Sequence, residues 1–304
     1  MIPFLLIIFG MLTVVGVINR TGSICSGRRG VRFFQPLYNV CAILHKGAVI
    51  SQRASVVSAL GPIVSLAALI VAALIIPLGT FGAAISFGGD VILFCALMAT
   101  ARVAMVATAM DSGGSFQGMG SARDAFFSML VEPALYMLLA TLTMITGYDS
   151  LSGIFAQFDN MSLNGALLSI VVGYGFLKLA LVECSRVPVS DPATHLELTM
   201  THSAMVLDLS GFDLAIVHIS GWLKLSIFSL LLFNSLIPAH MDGWPLFALY
   251  LGIVFVFGVA IGVGESMRAR NRMNKNSTYI ASITAIGVLA FIVAYMLATN
   301  HLIA

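Results

Sequence analysis

The sequence ASVVSALGPIVSLAALIVAALIIP, residues 54–77, contains no charged side chain. A helix needs about 20 mostly apolar residues to cross the hydrocarbon core of a membrane, because every backbone polar group must be hydrogen-bonded inside the segment. This stretch is therefore long enough to span a bilayer. Similar stretches lie on both sides of it, so the whole chain is predicted to be a membrane protein.

The composition of the 304-residue chain supports this interpretation. Hydrophobic residues make up 59% of the chain and charged residues only 9%, whereas a soluble domain carries about 25% charged residues. So few polar side chains exclude a soluble enzyme, a disordered protein and a nucleic-acid-binding domain. The four cysteines show no C-x-x-C spacing, so neither an iron–sulfur cluster nor a zinc site is predicted in this chain.

Eight apolar stretches are long enough to cross a membrane, and we expect an all-α protein with a single transmembrane domain over residues 1–304. The predicted spans are residues 2–19, 54–77, 90–110, 124–147, 162–185, 214–237, 245–267 and 279–300. Prolines mark several of their ends, at Pro77 and Pro238 for example.

The basic residues predict the orientation of these spans. If the N-terminus lies outside, 12 of the 15 Lys and Arg residues fall in inner loops, and none falls in an outer loop. Basic loops stay on the cytoplasmic side of a membrane, so both termini are expected on the outer (periplasmic) side. The basic loop from Arg268 to Lys275 has a second interpretation, because such loops also attract anionic lipid.

Three of the predicted inner connections are long. They are residues 20–53, 111–123 and 186–213. In the first, residues 37–50 fit a short amphipathic helix at the membrane interface, although a plain surface connector fits equally well. In the third, Pro188 and Pro192 prevent a continuous helix at its start. His195 and His202 follow seven residues apart, but without an H-E-x-x-H motif or a third nearby histidine they do not predict a metal site.

Six charged side chains lie inside the predicted spans, beyond the first residue of each span, three of them basic and three acidic. They are Arg102, Glu132, Lys178, Glu183, Lys224 and Glu265. Each costs roughly 2.5–3.5 kcal/mol when charged at a helix centre, so we expect them to face one another or a hydrated interior. Structural ion pairs are one explanation. A proton or ion relay is the other, and we favour it because apolar residues would pack a bundle at lower cost.

Three stretches carry a recognisable pattern in the same order and on the same predicted side of the membrane. They are GRRGVRFFQPLYNVCAILHK (27–46), SARDAFFSMLVEPALYML (121–138) and LVECSRVPVSDPATHLELTMTHSAMVLDLSG (181–211). Together they resemble the subunit 1 family of respiratory complex I and its relatives in group 4 [NiFe] hydrogenases and formate hydrogenlyase. The resemblance covers residues 27 to about 213 by motif.

The resemblance implies a membrane anchor and energy-coupling subunit in a bacterial or archaeal cytoplasmic (inner) membrane. Such a subunit is non-catalytic and holds no redox centre. It binds hydrogenase-like large and small subunits and an iron–sulfur subunit, which carry the [NiFe] site and the clusters, and it contacts antiporter-like membrane subunits. By motif, Arg28 and Arg29 would dock partners. The coupling site would include Glu132 and Glu183 and, on the cytoplasmic side, Arg123, Arg186, Asp191, Glu197 and Asp208.

The departures from the complex I pattern indicate which branch is closer. Val31 replaces a proline after the basic pair, Val189 and Ser190 interrupt the P-F-D tripeptide, and His195 replaces an acid. The loss of acids argues against a quinone chamber and favours the hydrogenase and formate hydrogenlyase branch.

Two other functions remain as alternatives. One is the quinone-site-forming subunit of a complex I-like NADH/quinone oxidoreductase, with a chamber between the first and sixth spans and the 186–213 loop. The other is an independent secondary transporter, a class that usually shows internal repeats. No convincing repeat relates residues 1–147 to 162–300, so the transporter is the weaker of the two.

Overall fold

The computed structural model describes residues 2–49, 51, 54–79, 81–158, 162–190, 201–237 and 244–303. Within these residues the protein is all-helical and contains no β-strand. The helices are α1 (Ile2–Cys25), α2 (Gln35–Leu44), α3 (Val56–Ile75), α4 (Asp90–Asp111), α5 (Ser115–Thr146), α6 (Leu151–Gln157), α7 (Leu163–Glu183), α8 (His202–Met205), α9 (Gly211–Leu236), α10 (Trp244–Met267) and α11 (Met273–Ile303).

Eight of these helices are long and apolar enough to cross a membrane, and each overlaps one predicted span. They are α1, α3, α4, α5, α7, α9, α10 and α11. The prediction of an all-α, eight-span protein is therefore confirmed. The chain is a multi-pass membrane protein.

The main difference from the prediction is the start of the fourth span. Residues 111–123 were expected to form a loop, but α5 begins at Ser115 and continues for 32 residues. Small residues allow this extension to pack against α8: a Cβ at Gly120 would lie 2.9 Å from the Cβ of Ala204. The extra turns of α5 are stabilised by this contact with α8, which lies far away in the sequence. Hydropathy along the chain carries no information about such contacts.

Helix α9 lies at the centre of the bundle and is the most buried of the spans. It packs against α1, α2, α3, α7 and α10. Its buried polar side chains are hydrogen-bonded, as they must be away from water. Ser226 donates to the carbonyl of Ile7 at 2.7 Å, and Asn234 donates to the carbonyl of Pro77 at 2.7 Å.

The two ends of α4 are fixed by aspartates. At its end, Asp111 accepts hydrogen bonds from the backbone N–H of Ser55 (2.8 Å) and of Ser58 (3.1 Å), which caps the start of α3. At its beginning, buried Asp90 accepts from the backbone N–H of Leu151 at 2.6 Å, the first residue of α6. These bonds hold α4, which carries Arg102, in a defined register.

The first long connection contains α2, a short helix that overlaps residues 37–44 of the stretch predicted to be amphipathic. Only Val40 of this helix is buried, and the helix packs on α1 and α9. Its position at the membrane interface stays a prediction.

Candidate charge-relay site

Glu183, the last residue of α7, is the centre of the largest buried cluster of charges. Its Oε1 pairs with the guanidinium of Arg102 on α4, and its Oε2 lies 3.3 Å from Nζ of Lys224 on α9. The Glu183 side chain is only 4% exposed. Helices α4, α7 and α9 thus meet at one carboxylate. The three residues of this cluster are among the six charged groups predicted inside the spans, and the structure brings them together.

A second ion pair lies beside this cluster. Arg186 Nη1 is 3.2 Å from Oε1 of Glu265 on α10. A separation of three would place Glu183 and Arg186 on one face of a continuous helix, but α7 ends at Glu183 and Ser185 takes a left-handed backbone conformation with φ of 51°. The chain therefore turns after Ser185, and Arg186 pairs with a different helix.

The Glu183 cluster lines an internal cavity of about 80 Å³. Hydroxyl groups of Ser65, Ser128, Ser185 and Ser220 line the same cavity. A water molecule needs about 10–15 Å³ of such volume and two or more polar partners, so the cavity has room and partners for several waters. Buried charges and a space large enough for water meet at this point.

Two further cavity residues, Asp124 and His202, were not assigned to the relay from the sequence. Asp124 is the first residue of the predicted fourth span, whereas α5 begins nine residues earlier, so Asp124 and its neighbour Arg123 both lie within the helix. His202 begins the short helix α8. Burial lowers the pKa of His202 below its ordinary value; Asp124 opposes this effect, while Lys224 and His218 add to it. The neutral form of His202 is therefore favoured in the folded protein.

A second space opens on the other side of Arg102. It is a cleft of about 360 Å³ between α4 and α5, and it is lined by Glu132, Pro133 and Tyr136. Arg102 and Ser128 line both the cavity and the cleft. Arg102 therefore lies between the cavity that holds Glu183 and the cleft that holds Glu132. The cleft lies beside Pro133, which removes one backbone hydrogen-bond donor from α5.

The other predicted site residues lie apart from this cluster. Among the described residues Glu132 has no ion-pair partner within 4.0 Å, and Lys178 lies between the rings of Tyr174 and Tyr279. Nη2 of Arg123 lies 2.9 Å from the sulfur of Met119. The exposed Asp208 lines a small cavity of about 20 Å³.

The expected partner-docking residues, Arg28 and Arg29, are exposed after α1. Asp191 and Glu197 lie outside the described residues, as does His195. Among the residues that the structure describes, no group of three or more His, Cys, Asp or Glu side chains is placed to hold a metal ion.

Comparison with known proteins agrees with this architecture. The family described as NADH dehydrogenase matches residues 2–299. Hydrogenase-4 component C of Escherichia coli (strain K12) is 25% identical over 215 residues, which cover 69% of this chain and 66% of that protein. Formate hydrogenlyase subunit 4 of the same organism is 24% identical over 277 residues, 88% of this chain and 89% of that protein.

A solved structure has the same fold. The chain superposes with a TM-score of 0.80 on a chain of the membrane-bound sulfane sulfur reductase, an archaeal respiratory membrane complex. The match covers 96% of both chains at 16% sequence identity. At that identity the likeness shows the fold alone.

Proposed function

The chain belongs to the NADH dehydrogenase family, and from that premise we propose that it is the membrane anchor and energy-coupling subunit of an energy-converting hydrogenase or formate hydrogenlyase-type complex. In this proposal it links redox chemistry in a soluble arm to the translocation of protons or sodium. Its relatives support the proposal, since they are a component of hydrogenase-4 and a subunit of formate hydrogenlyase.

The observation that carries the proposal is the position of Arg102. Its guanidinium is bound to Glu183, yet it also lines the cleft that holds Glu132. A guanidinium favours the ionised form of the carboxylate it contacts. If Arg102 moves from Glu183 towards Glu132, Glu183 binds a proton more readily and Glu132 less readily. One movement of the Arg102 side chain then raises the proton affinity of Glu183 in the cavity and lowers that of Glu132 in the cleft.

The rest of the cluster supplies the other parts of a relay. Asp124 and His202 line the cavity on the side of α8, and waters in the cavity can carry a proton between them and Glu183. Lys224 keeps Glu183 partnered when Arg102 leaves. The Arg186–Glu265 pair lies at the end of the same helix, where the 186–213 loop begins, so a rearrangement of that loop would reach the cluster directly.

The proposal also assigns the surroundings of this subunit. It places both termini on the periplasmic side of a bacterial or archaeal cytoplasmic membrane, with α2 at the cytoplasmic interface. The exposed Arg28 and Arg29 would meet the hydrogenase-like large and small subunits and the iron–sulfur subunit. The [NiFe] site and the iron–sulfur clusters belong to those partners in this scheme. The α4–α5 cleft would face antiporter-like membrane subunits.

The test uses the assembled complex and three substitutions that each replace a carboxylate by an amide. We expect Glu183→Gln and Glu132→Gln to lower the number of ions translocated per substrate oxidised severalfold, because each removes a carboxylate next to Arg102. Asp149→Asn is the control, since Asp149 is exposed between α5 and α6 and lies outside both the cavity and the cleft. The subunit composition of each variant complex is checked first, so that a failure to assemble is recognised.

An unchanged ratio in both Glu183→Gln and Glu132→Gln would remove the coupling role. The quinone alternative gives a different result, namely dependence of turnover on added quinone and inhibition by quinone-site inhibitors. The cavity at Glu183 does not favour it, because about 80 Å³ is well below the roughly 300–1,000 Å³ of small-molecule sites.

A further inference from the structure

Lys178 on α7 is held in a way that sets it apart from the other basic residues of the spans. Its Nζ lies 5.1 Å from the ring centroid of Tyr174, one turn earlier on α7, and 5.1 Å from that of Tyr279 on α11. We call these three residues the tyrosine–lysine cluster. Arg102 and Lys224 each contact a carboxylate, whereas Lys178 has no acidic partner within 4.0 Å among the described residues.

The two rings leave the positive charge of Lys178 without a counter-ion, because an aromatic ring attracts a cation through its quadrupole and carries no net charge. The hydroxyl of Tyr279 is also buried and has no hydrogen-bond partner among the residues that the structure describes. A cation and a free hydroxyl donor next to one another indicate that an anion belongs at this position.

The surface around the cluster identifies the anion. Lys178 continues a face of α7 that is exposed and apolar, formed by Leu167, Ile170, Val171 and Tyr174. These residues recur at the three- and four-residue spacing of one helix face. An apolar face of this kind on a membrane helix accommodates an acyl chain. A lipid lying along it would bring its phosphate to the level of Lys178.

The depth of Lys178 fits a phosphate group. Lys178 precedes the end of α7 by five residues, a rise of about 7.5 Å, and lysine side chains near a helix end extend towards the interface. Two exposed basic residues, Arg268 and Arg272, follow α10 on the same side. Basic groups between spans on this side of a membrane protein attract anionic head groups, and tyrosine is enriched at the same level.

We propose that the tyrosine–lysine cluster is a binding site for an anionic phospholipid. Lys178 pairs with the phosphate, the Tyr279 hydroxyl donates a hydrogen bond to it, and an acyl chain lies along Leu167, Ile170 and Val171. The site is independent of the Glu183 relay. Lys178 is then a lipid anchor that fixes α7 against α11, and not a member of the proton path to which the sequence had assigned it.

The experiment measures lipid selectivity of the full complex. The complex is delipidated in detergent and reconstituted into nanodiscs of phosphatidylcholine containing one-fifth phosphatidylglycerol. It is then re-extracted, and the retained lipids are quantified by mass spectrometry. We expect wild type to retain phosphatidylglycerol severalfold above its share of the nanodisc. Lys178→Met loses most of this enrichment, Tyr279→Phe loses part of it, and Lys178→Arg keeps it because the positive charge is retained.

Lys275→Gln is the matched control, because it removes one exposed basic charge near the same end of α11 without touching the cluster. Equal retention of phosphatidylglycerol in wild type and Lys178→Met would overturn the proposal, and so would a loss in Lys275→Gln as large as that in Lys178→Met. If Lys178 instead pairs with a carboxylate of a neighbouring membrane subunit, Lys178→Met releases that subunit and leaves lipid selectivity unchanged, which also overturns it.

Discussion

Replacing Arg102 by methionine is expected to destabilise the bundle more than any other single loss of a basic side chain in the described spans. Arg102 pairs with a carboxylate that is 4% exposed, and its own side chain is 11% exposed. Removing one partner of a buried ion pair typically costs about 3–5 kcal/mol, because the other charge is left uncompensated. Lys224 still contacts Glu183 at 3.3 Å, so the lower end of that range, about 3 kcal/mol, applies to Arg102→Met.

The comparison variant is Arg186→Met. Its pair with Glu265 is more exposed, at 14% and 20% for the two side chains, and pairs near water contribute about 1 kcal/mol or less. With roughly 2 °C of Tm per kcal/mol for a chain of this size, Arg102→Met should lower the apparent Tm of the detergent-solubilised protein by about 6 °C. Arg186→Met should lower it by about 2 °C.

A second substitution tests the physical reason for this difference. If the cost of Arg102→Met is the unpaired charge of Glu183, then Arg102→Met combined with Glu183→Gln should be less destabilised than the sum of the two single variants, because both remove one interaction. Equal Tm losses for Arg102→Met and Arg186→Met, or strict additivity in the double variant, would refute the reasoning.

Three other perturbations are expected to give distinct results. Gly262→Leu should lower the apparent Tm by several degrees, because a Cβ at Gly262 would lie 3.0 Å from a backbone oxygen of α1. Gly264→Leu on the same helix should be nearly neutral, because a Cβ at Gly264 meets nothing within 4 Å. Asp111→Ala should accelerate hydrogen exchange in the first turn of α3, whose N–H groups it caps, and leave the centre of α9 unchanged. The folded-state pKa of His202 is lowered, so protonation favours the unfolded state and stability should fall as the pH drops below about 6.5. His202→Gln should flatten that dependence in Tm measurements between pH 7.5 and 5.5, and an unchanged slope would contradict it.

Hydropathy predicts the number of spans and most of their limits, because the requirement for internal backbone hydrogen bonding in lipid acts on each segment separately. It cannot predict which charges meet. Arg102, Glu183 and Lys224 come from three helices far apart in sequence, and their contact depends on which spans pack around α9. All six in-span charges looked equivalent in the sequence, yet Lys178 and Glu132 lie away from the cluster. Asp124 is the first residue of the predicted span 124–147 and looked like its boundary, whereas α5 begins nine residues earlier and places Asp124 inside the helix.

The cluster also has a balance of charge that supports its proposed role. Arg102 and Lys224 contribute two positive charges to the cavity, and Glu183 contributes one negative charge. With Asp124 ionised and His202 neutral, the cavity as a whole is neutral. Any proton that enters therefore leaves one uncompensated positive charge in a low-dielectric space, and at a separation of about 4 Å such a charge acts on its neighbours with several kcal/mol.

The group best placed to respond to that charge is Arg102, because it is the cation on the wall between the cavity and the Glu132 cleft. A proton on Glu183 weakens the ion pair between Glu183 and Arg102. Repulsion from Lys224 then favours displacement of the Arg102 guanidinium towards Glu132. Ion pairs that only hold helices together would gain nothing from the neighbouring cleft, in which Glu132 has no ion-pair partner among the described residues. In a relay the same arrangement is useful, because a proton that binds in the cavity moves the positive charge of Arg102 towards Glu132 in the cleft.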